Sequence, residues 1–146
     1  MVNDFSETLV QAIVTSLSTK PALMNQITGL YTLAPLDVKA PYMIVRADLG
    51  RFLPTSTHQF YQYFLTFTLW SNSRTLAESN SIVQTLHQVL DPAAITIPGA
   101  TLQAIRFQER ETDLRRPQRE WQTDVIYRTV LEVVSSGVGS GGWGFY

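Results

Sequence analysis

Between Gln59 and Trp70 the sequence keeps a strict period of two. Tyr61, Tyr63, Leu65, Phe67 and Leu69 fall on one side, and Gln62, Thr66 and Thr68 on the other. Successive side chains of a strand point to opposite faces, so this stretch reads as a β-strand with one face in a core. The second side also carries Phe60, Phe64 and Trp70. It is therefore half apolar, and something is expected to cover part of it. A single strand cannot bury such a face alone, and the remainder of the chain must supply neighbouring strands and a covering layer.

Three further strands can be read. Tyr42 to about Leu49 opens with Tyr42-Met43-Ile44-Val45, and a shorter strand is possible at Leu30–Leu33. Thr101 to Gln108 carries Leu102, Ile105 and Phe107. From Trp121 to Val133 the alternation is clean, with Trp121, Val125, Tyr127, Leu131 and Val133 opposed by Gln122, Asp124, Arg128 and Glu132. A Gly50–His58 loop and a polar Glu109–Glu120 segment are expected as the connections.

Two stretches have the helical period instead. Phe5, Leu9, Ile13 and Leu17, with Val10 and Val14 beside them, form one apolar stripe. Asp4 followed by Glu7 reads as a capping box at its start. Pro21 ends this helix or begins a short turn through Leu23, Met24 and Ile27, and Gly29 closes the region. From Thr75 to Leu90 a second stripe holds Leu76, Ile82, Val83, Leu86, Val89 and Leu90, and Asp91-Pro92 stops it. The expected fold is α+β, an antiparallel sheet of about four or more strands covered on one face by two helices. The expected order is helix-strand-strand-helix-strand-strand, with one domain over 1–134 and a Gly/Ser/aromatic tail over 135–146.

Composition narrows the function classes. Eleven Lys+Arg against twelve Asp+Glu give a net charge of -1 with no basic arm. Duplex binders concentrate Lys and Arg to displace counterions, so strong nucleic-acid affinity is not expected. Only 16% of residues are charged, below the average of about 25%. This leans toward a chain that buries part of its exterior against partners. Cysteine is absent, which removes disulfides, thiolate catalysis and Cys-based zinc sites. Asp4 and Glu7 stand where a signal peptide needs basic residues, and no apolar run approaches the ~20 residues of a membrane span. Synthesis and folding in a cytoplasm, with no membrane partner, are expected.

Candidate chemistry is sparse. His58 and His87 are the only histidines, and neither has a carboxylate or a second histidine at ligand spacing. Asp48, Asp113 and Asp124 are scattered, and Asp124 alternates with charged neighbours as on a solvated strand face. Gly137, Gly139 and Gly142 match the spacing of a dinucleotide loop, but such a site needs a following helix whose N-terminus meets the pyrophosphate, and none is expected here. No catalytic residue, cofactor or metal is expected. The tail ends in Trp143, Phe145 and Tyr146, which suit either an aromatic anchor in a neighbour's groove or a frayed end. Glu109 to Glu120 mixes both charge signs. That composition fits a register-fixing rim contact as well as a solvated hairpin. The candidate interface residues are Arg51, Phe52, Arg110, Asp113, Arg115, Arg116, Arg119, Trp143, Phe145 and Tyr146.

Ala40-Pro41-Tyr42-Met43-Ile44 at a strand entry, Leu69-Trp70-Ser71 leading to a helix from Arg74 to Leu90, and a closing strand from Asp124 to Val134 form a connected pattern. From about Phe5 to Val134 this pattern resembles the minor tail proteins of tailed phages and gene transfer agents called tail terminators, tail completion or tail-to-head joining proteins. The resemblance implies a non-enzymatic virion subunit made in the bacterial cytoplasm and placed in the tail. It implies a ring, commonly of six copies, that docks on the last ring of tail-tube protein, stops tube growth and presents a surface to the head-connector or stopper protein. DNA would only pass through its lumen. The competing readings are a small adaptor or binding module with one protein partner, and an enzyme whose pocket assembles between subunits.

Overall fold

The computed structural model describes residues 4–33, 35–55, 57–115 and 120–134. Helix α1 (Ser6–Leu17) is followed by the single turn α2 (Pro21–Met24), strands β1 (Leu30–Tyr31), β2 (Tyr42–Pro54) and β3 (His58–Ser71), and helix α3 (Ala77–Val89). A 3₁₀ turn at Pro92–Ala94 leads to β4 (Thr101–Arg115) and β5 (Glu120–Val134). The chain is α+β, with one five-stranded sheet in the order β1-β2-β3-β5-β4.

The expectation of an antiparallel sheet needs correction, because the sheet is mixed: β1 runs parallel to β2 through Leu30–Met43 and Tyr31–Ile44. A parallel neighbour needs a crossover, and the segment from Thr32 to Pro41 supplies it. The other pairings are antiparallel.

Both long connections expected from the sequence are mostly strand. β2 continues past Gly50 to Pro54 and pairs with β3 as far as Gln59, so the Gly50–His58 loop shrinks to a tight turn. The ladder absorbs Gly50 as an extra residue between Leu49 and Arg51. A Cβ there would lie 2.7 Å from the Phe64 ring; the ring occupies the space a side chain would take. β4 likewise runs through the polar stretch to Arg115 and pairs with β5 down to Glu120. His58, expected in a turn, is the first residue of β3.

The core lies on one face of the sheet. Tyr61, Tyr63, Leu65, Phe67 and Leu69 of β3 are fully buried, with Val125, Tyr127 and Leu131 of β5 beside them. Phe5, at the start of α1, meets the Tyr61 ring at 5.2 Å, and His87 of α3 meets the Tyr127 ring at 5.6 Å. Tyr61 pairs with Leu131, and Leu65 with Tyr127, so these two tyrosines share a face. α1 contributes Leu9, Val10, Ile13 and Leu17 to that core, and α3 contributes Ile82, Val83 and Leu86. The capping box is only half formed: Asp4 accepts the Ser6 amide at 2.9 Å, but Phe5 occupies the N-cap and no side chain caps it.

Candidate functional site

The opposite face of the sheet carries partly exposed apolar residues of β2, β3 and β5. On it Phe64 is 37% and Leu53 47% exposed, beside half-buried Phe60, Trp70, Ile126 and Val130. Charged residues interrupt these apolar patches. Arg46 and Asp48 on β2 pair with each other at 3.0 Å, and Asp124 on β5 accepts the Thr68 hydroxyl at 2.8 Å. Glu132 is held by His58 and Gln103 at one end of the face.

The predicted contact residues occupy separate places. Arg51 pairs with Gln62 and is exposed on this open face. Phe52 points to the other side, where its ring packs at 4.8 Å against Tyr61. Arg110 lies on the helix-bearing side and donates to Asn80 Oδ1 of α3 at 2.6 Å. Asp113 and Arg115 are exposed near the end of β4, where Arg115 donates to Gln122 Oε1 at 2.6 Å. Arg116, Arg119, Trp143, Phe145 and Tyr146 lie outside the described residues.

The pairings put the two hairpin ends far apart. The start of β3 at His58 lies beside Val134, whereas the end of β4 and the start of β5, paired as Arg115 and Glu120, lie next to the row that joins Ser71, Trp121 and Leu114. The stretch of β3 from Gln62 to Ser71 separates Arg51 from Arg115 by about 30 Å at ~3.3 Å per residue. One subunit thus presents two different ends.

The grooves are shallow in chemistry. One open groove of about 750 Å³ runs along the outward side of α1 toward Thr96 and Pro98, with Asp4 and Glu7 at one end and Lys20 at the other. The amide and hydroxyl of Ser6 hold Asp4 below the usual carboxylate range, so it stays an anion. A smaller cleft of about 300 Å³ is lined by His87, Leu90, Ile105, Phe107 and Tyr127. Burial lowers His87, with help from Arg110, and raises Tyr127. Among the described residues no three His, Asp or Glu gather as metal ligands, and no helix is long and apolar enough to cross a membrane.

The model of the family "Tail completion protein gp17" matches residues 11–132, and the chain belongs to that family. It is accordingly a structural component of a phage-type tail. A chain from a structure described as "Virion of native gene transfer agent (GTA) particle" shares the fold, with a TM-score of 0.76 over 85% of this chain and 94% of that chain. The two are 15% identical, so the likeness concerns the fold. No curated protein matches the chain.

The missed features are the strand extensions. Their signal was present in Phe52 and Leu53 after Gly50, and in the Thr112–Leu114 alternation after Arg110.

Proposed function

We propose that copies of this chain join head to tail into a ring, six in the usual arrangement, at the end of the tail tube. The ring ends tube growth, offers a docking surface to the head-connector or stopper protein, and lets DNA pass through its lumen. The chain does this work without catalysis, as part of the virion tail, after synthesis in the bacterial cytoplasm.

The observation that carries this reading is the sheet's pair of dissimilar edges. β4 forms one edge along its full length, and no described strand pairs with β2 beyond Ile44 on the other. Head-to-tail assembly uses two different patches per subunit, and it closes when the rotation per copy completes a circle. The opposite hairpin ends then extend the contact between neighbouring copies at its two rims. Arg51 belongs to one such end. Asp113 and Arg115 belong to the other, and Arg116 and Arg119 are proposed contacts from the sequence that follows. Arg110, Phe52 and the aromatic tail residues Trp143, Phe145 and Tyr146 complete the contact set.

The test adds the full chain to polymerising tail-tube subunits. Tubes should stop lengthening and carry a ring of extra density at one end. An unchanged length distribution with bare tube ends would overturn the reading.

A further inference from the structure

The two sheet edges that no described strand pairs with match each other in direction, hydrogen-bonding phase and charge. β2 is antiparallel to β3, β3 to β5, and β5 to β4, so β2 and β4 run in opposite directions. Set side by side in the same orientation, one copy's β4 therefore lies antiparallel to the next copy's β2. Met43 donates its amide outward to Gly29 O at 3.1 Å. Alternation along β2 then turns the backbone groups of Val45, Ala47 and Leu49 outward as well. Carried across the ladders, the same alternation turns those of Ile105, Phe107 and Arg110 outward from β4.

The sequence at equal height agrees. The row of paired residues that begins at Arg46 passes through Thr66 and Ile126 and ends at Glu109. The next charged row begins at Asp48, passes through Phe64 and Arg128 and ends at Arg106. Each row thus carries opposite charges at the two edges of the sheet. On the helix-bearing side, Ala47 heads the row that ends at Phe107, and Leu49 heads the row that ends at Ile105. Phe107 is 53% and Leu49 41% exposed, which is high for apolar residues on the side that holds the core.

We infer that β4 of one copy pairs with β2 of the next, with Glu109 opposite Arg46, Arg106 opposite Asp48, and Phe107 over Ala47. Opposite charges facing each other across strands stabilise the pair, and like charges destabilise it. A slide by one pair of residues in either direction sets Arg46 against Arg106 or Asp48 against Glu109, so the charges also select the register. The extra residues Gln103 and Gln108 bulge β4. A bulged, charged edge discourages pairing with an unmatched strand. This junction rests on the ring reading only in taking a second copy as the partner.

The chain has no cysteine, so a variant with Ala47→Cys and Phe107→Cys together carries only those two thiols. Directly opposed antiparallel residues have Cα atoms about 5.5 Å apart, within disulfide reach. Within one chain the two positions are separated by three strand spacings, about 14 Å, and cannot join. Tails assembled with this variant should give a ladder of multimers after oxidation on a non-reducing gel, and each single variant should give monomer. Monomer from the double variant would overturn the junction even where microscopy shows a ring. Dimers from Phe107→Cys alone would also overturn it, in favour of a two-fold contact. Bare tail ends with no ring would instead count against the ring reading.

A charge exchange gives the second readout. Arg46→Glu should lower incorporation into tails at least tenfold while leaving the thermal midpoint within a few degrees. Arg46→Glu with Glu109→Arg should restore it. Full incorporation of Arg46→Glu, or no recovery in the pair, would overturn the register.

Discussion

His87 Nδ1 lies 2.5 Å from the Tyr127 hydroxyl, joining the second long helix to the centre of the sheet. Burial raises the phenol well above its ordinary value. The phenol therefore stays protonated, and which of the two groups donates follows the tautomer of the imidazole. Burial lowers His87 itself, and the neighbouring Arg110 lowers it further.

A folded-state value below the ordinary 6.5 means that the unfolded chain binds this proton first as pH falls. Stability from this group is complete above pH 6.5 and declines below it, until the folded ring also titrates. The thermal midpoint measured from pH 8 to pH 5 should therefore fall less in His87→Gln than in the parent chain. Equal acid sensitivity in the two proteins would refute the assignment.

Tyr63 ties the start of α1 to β3. Its hydroxyl accepts the Phe5 amide at 2.7 Å and donates to Asp4 Oδ1 at 3.3 Å, and burial pushes its ionisation up to about 12. Tyr63→Phe leaves that amide without its partner. Urea unfolding should show a loss of about 1–3 kcal/mol.

Phe67 is fully buried and meets the Tyr127 ring edge-on at 5.7 Å. Phe67→Ala removes a ring that neighbouring strands cannot close over. A loss of about 3–5 kcal/mol is expected in the same unfolding measurement.

Gly50 and Phe64 should be coupled. An alanine at Gly50 pushes the Phe64 ring out of contact at 2.7 Å. In a double-mutant cycle, Gly50→Ala should destabilise the parent chain and do so by at least 0.5 kcal/mol less, as an order of magnitude, once Phe64→Ala is present. Additive effects would show that the ring moves aside freely.

Arg115 already spends its Nε hydrogen on Gln122 Oε1. Reversal at this residue alone should weaken assembly modestly. Arg115→Glu with Arg116→Glu should shift the particle toward monomer in light scattering. An unchanged mass would remove this hairpin from the subunit contact.

The parts of the fold legible in the sequence are those with one buried and one open side. β3 and β5 lie inside the sheet, so apolar residues recur at every second position, and their helix-bearing faces can be read directly. β4 is an edge strand whose bulges at Gln103 and Gln108 each shift the phase by one. Its inward series therefore runs Leu102, Ile105, Phe107, Arg110, Thr112, Leu114, and no single period describes it. Glu109, Glu111 and Asp113 are also residue types depleted in strands, which makes the extension look like a loop. Gly50 and Pro54 disguise the end of β2 in the same way. The parallel contact of β1 rests on two residue pairs and leaves no periodic trace. The candidate contacts were readable only as composition, because the charge match between edges depends on which rows the three antiparallel ladders connect.

Were copies to join through β4 and β2 as proposed, the separation of these edges onto different strands would have a genetic consequence. A copy damaged on β4 keeps an intact β2, so it can still be accepted by a normal neighbour and then refuse the next. Co-expressed with the undamaged chain, such a copy would act as a dominant poison of assembly. A copy damaged on both edges would be excluded and recessive.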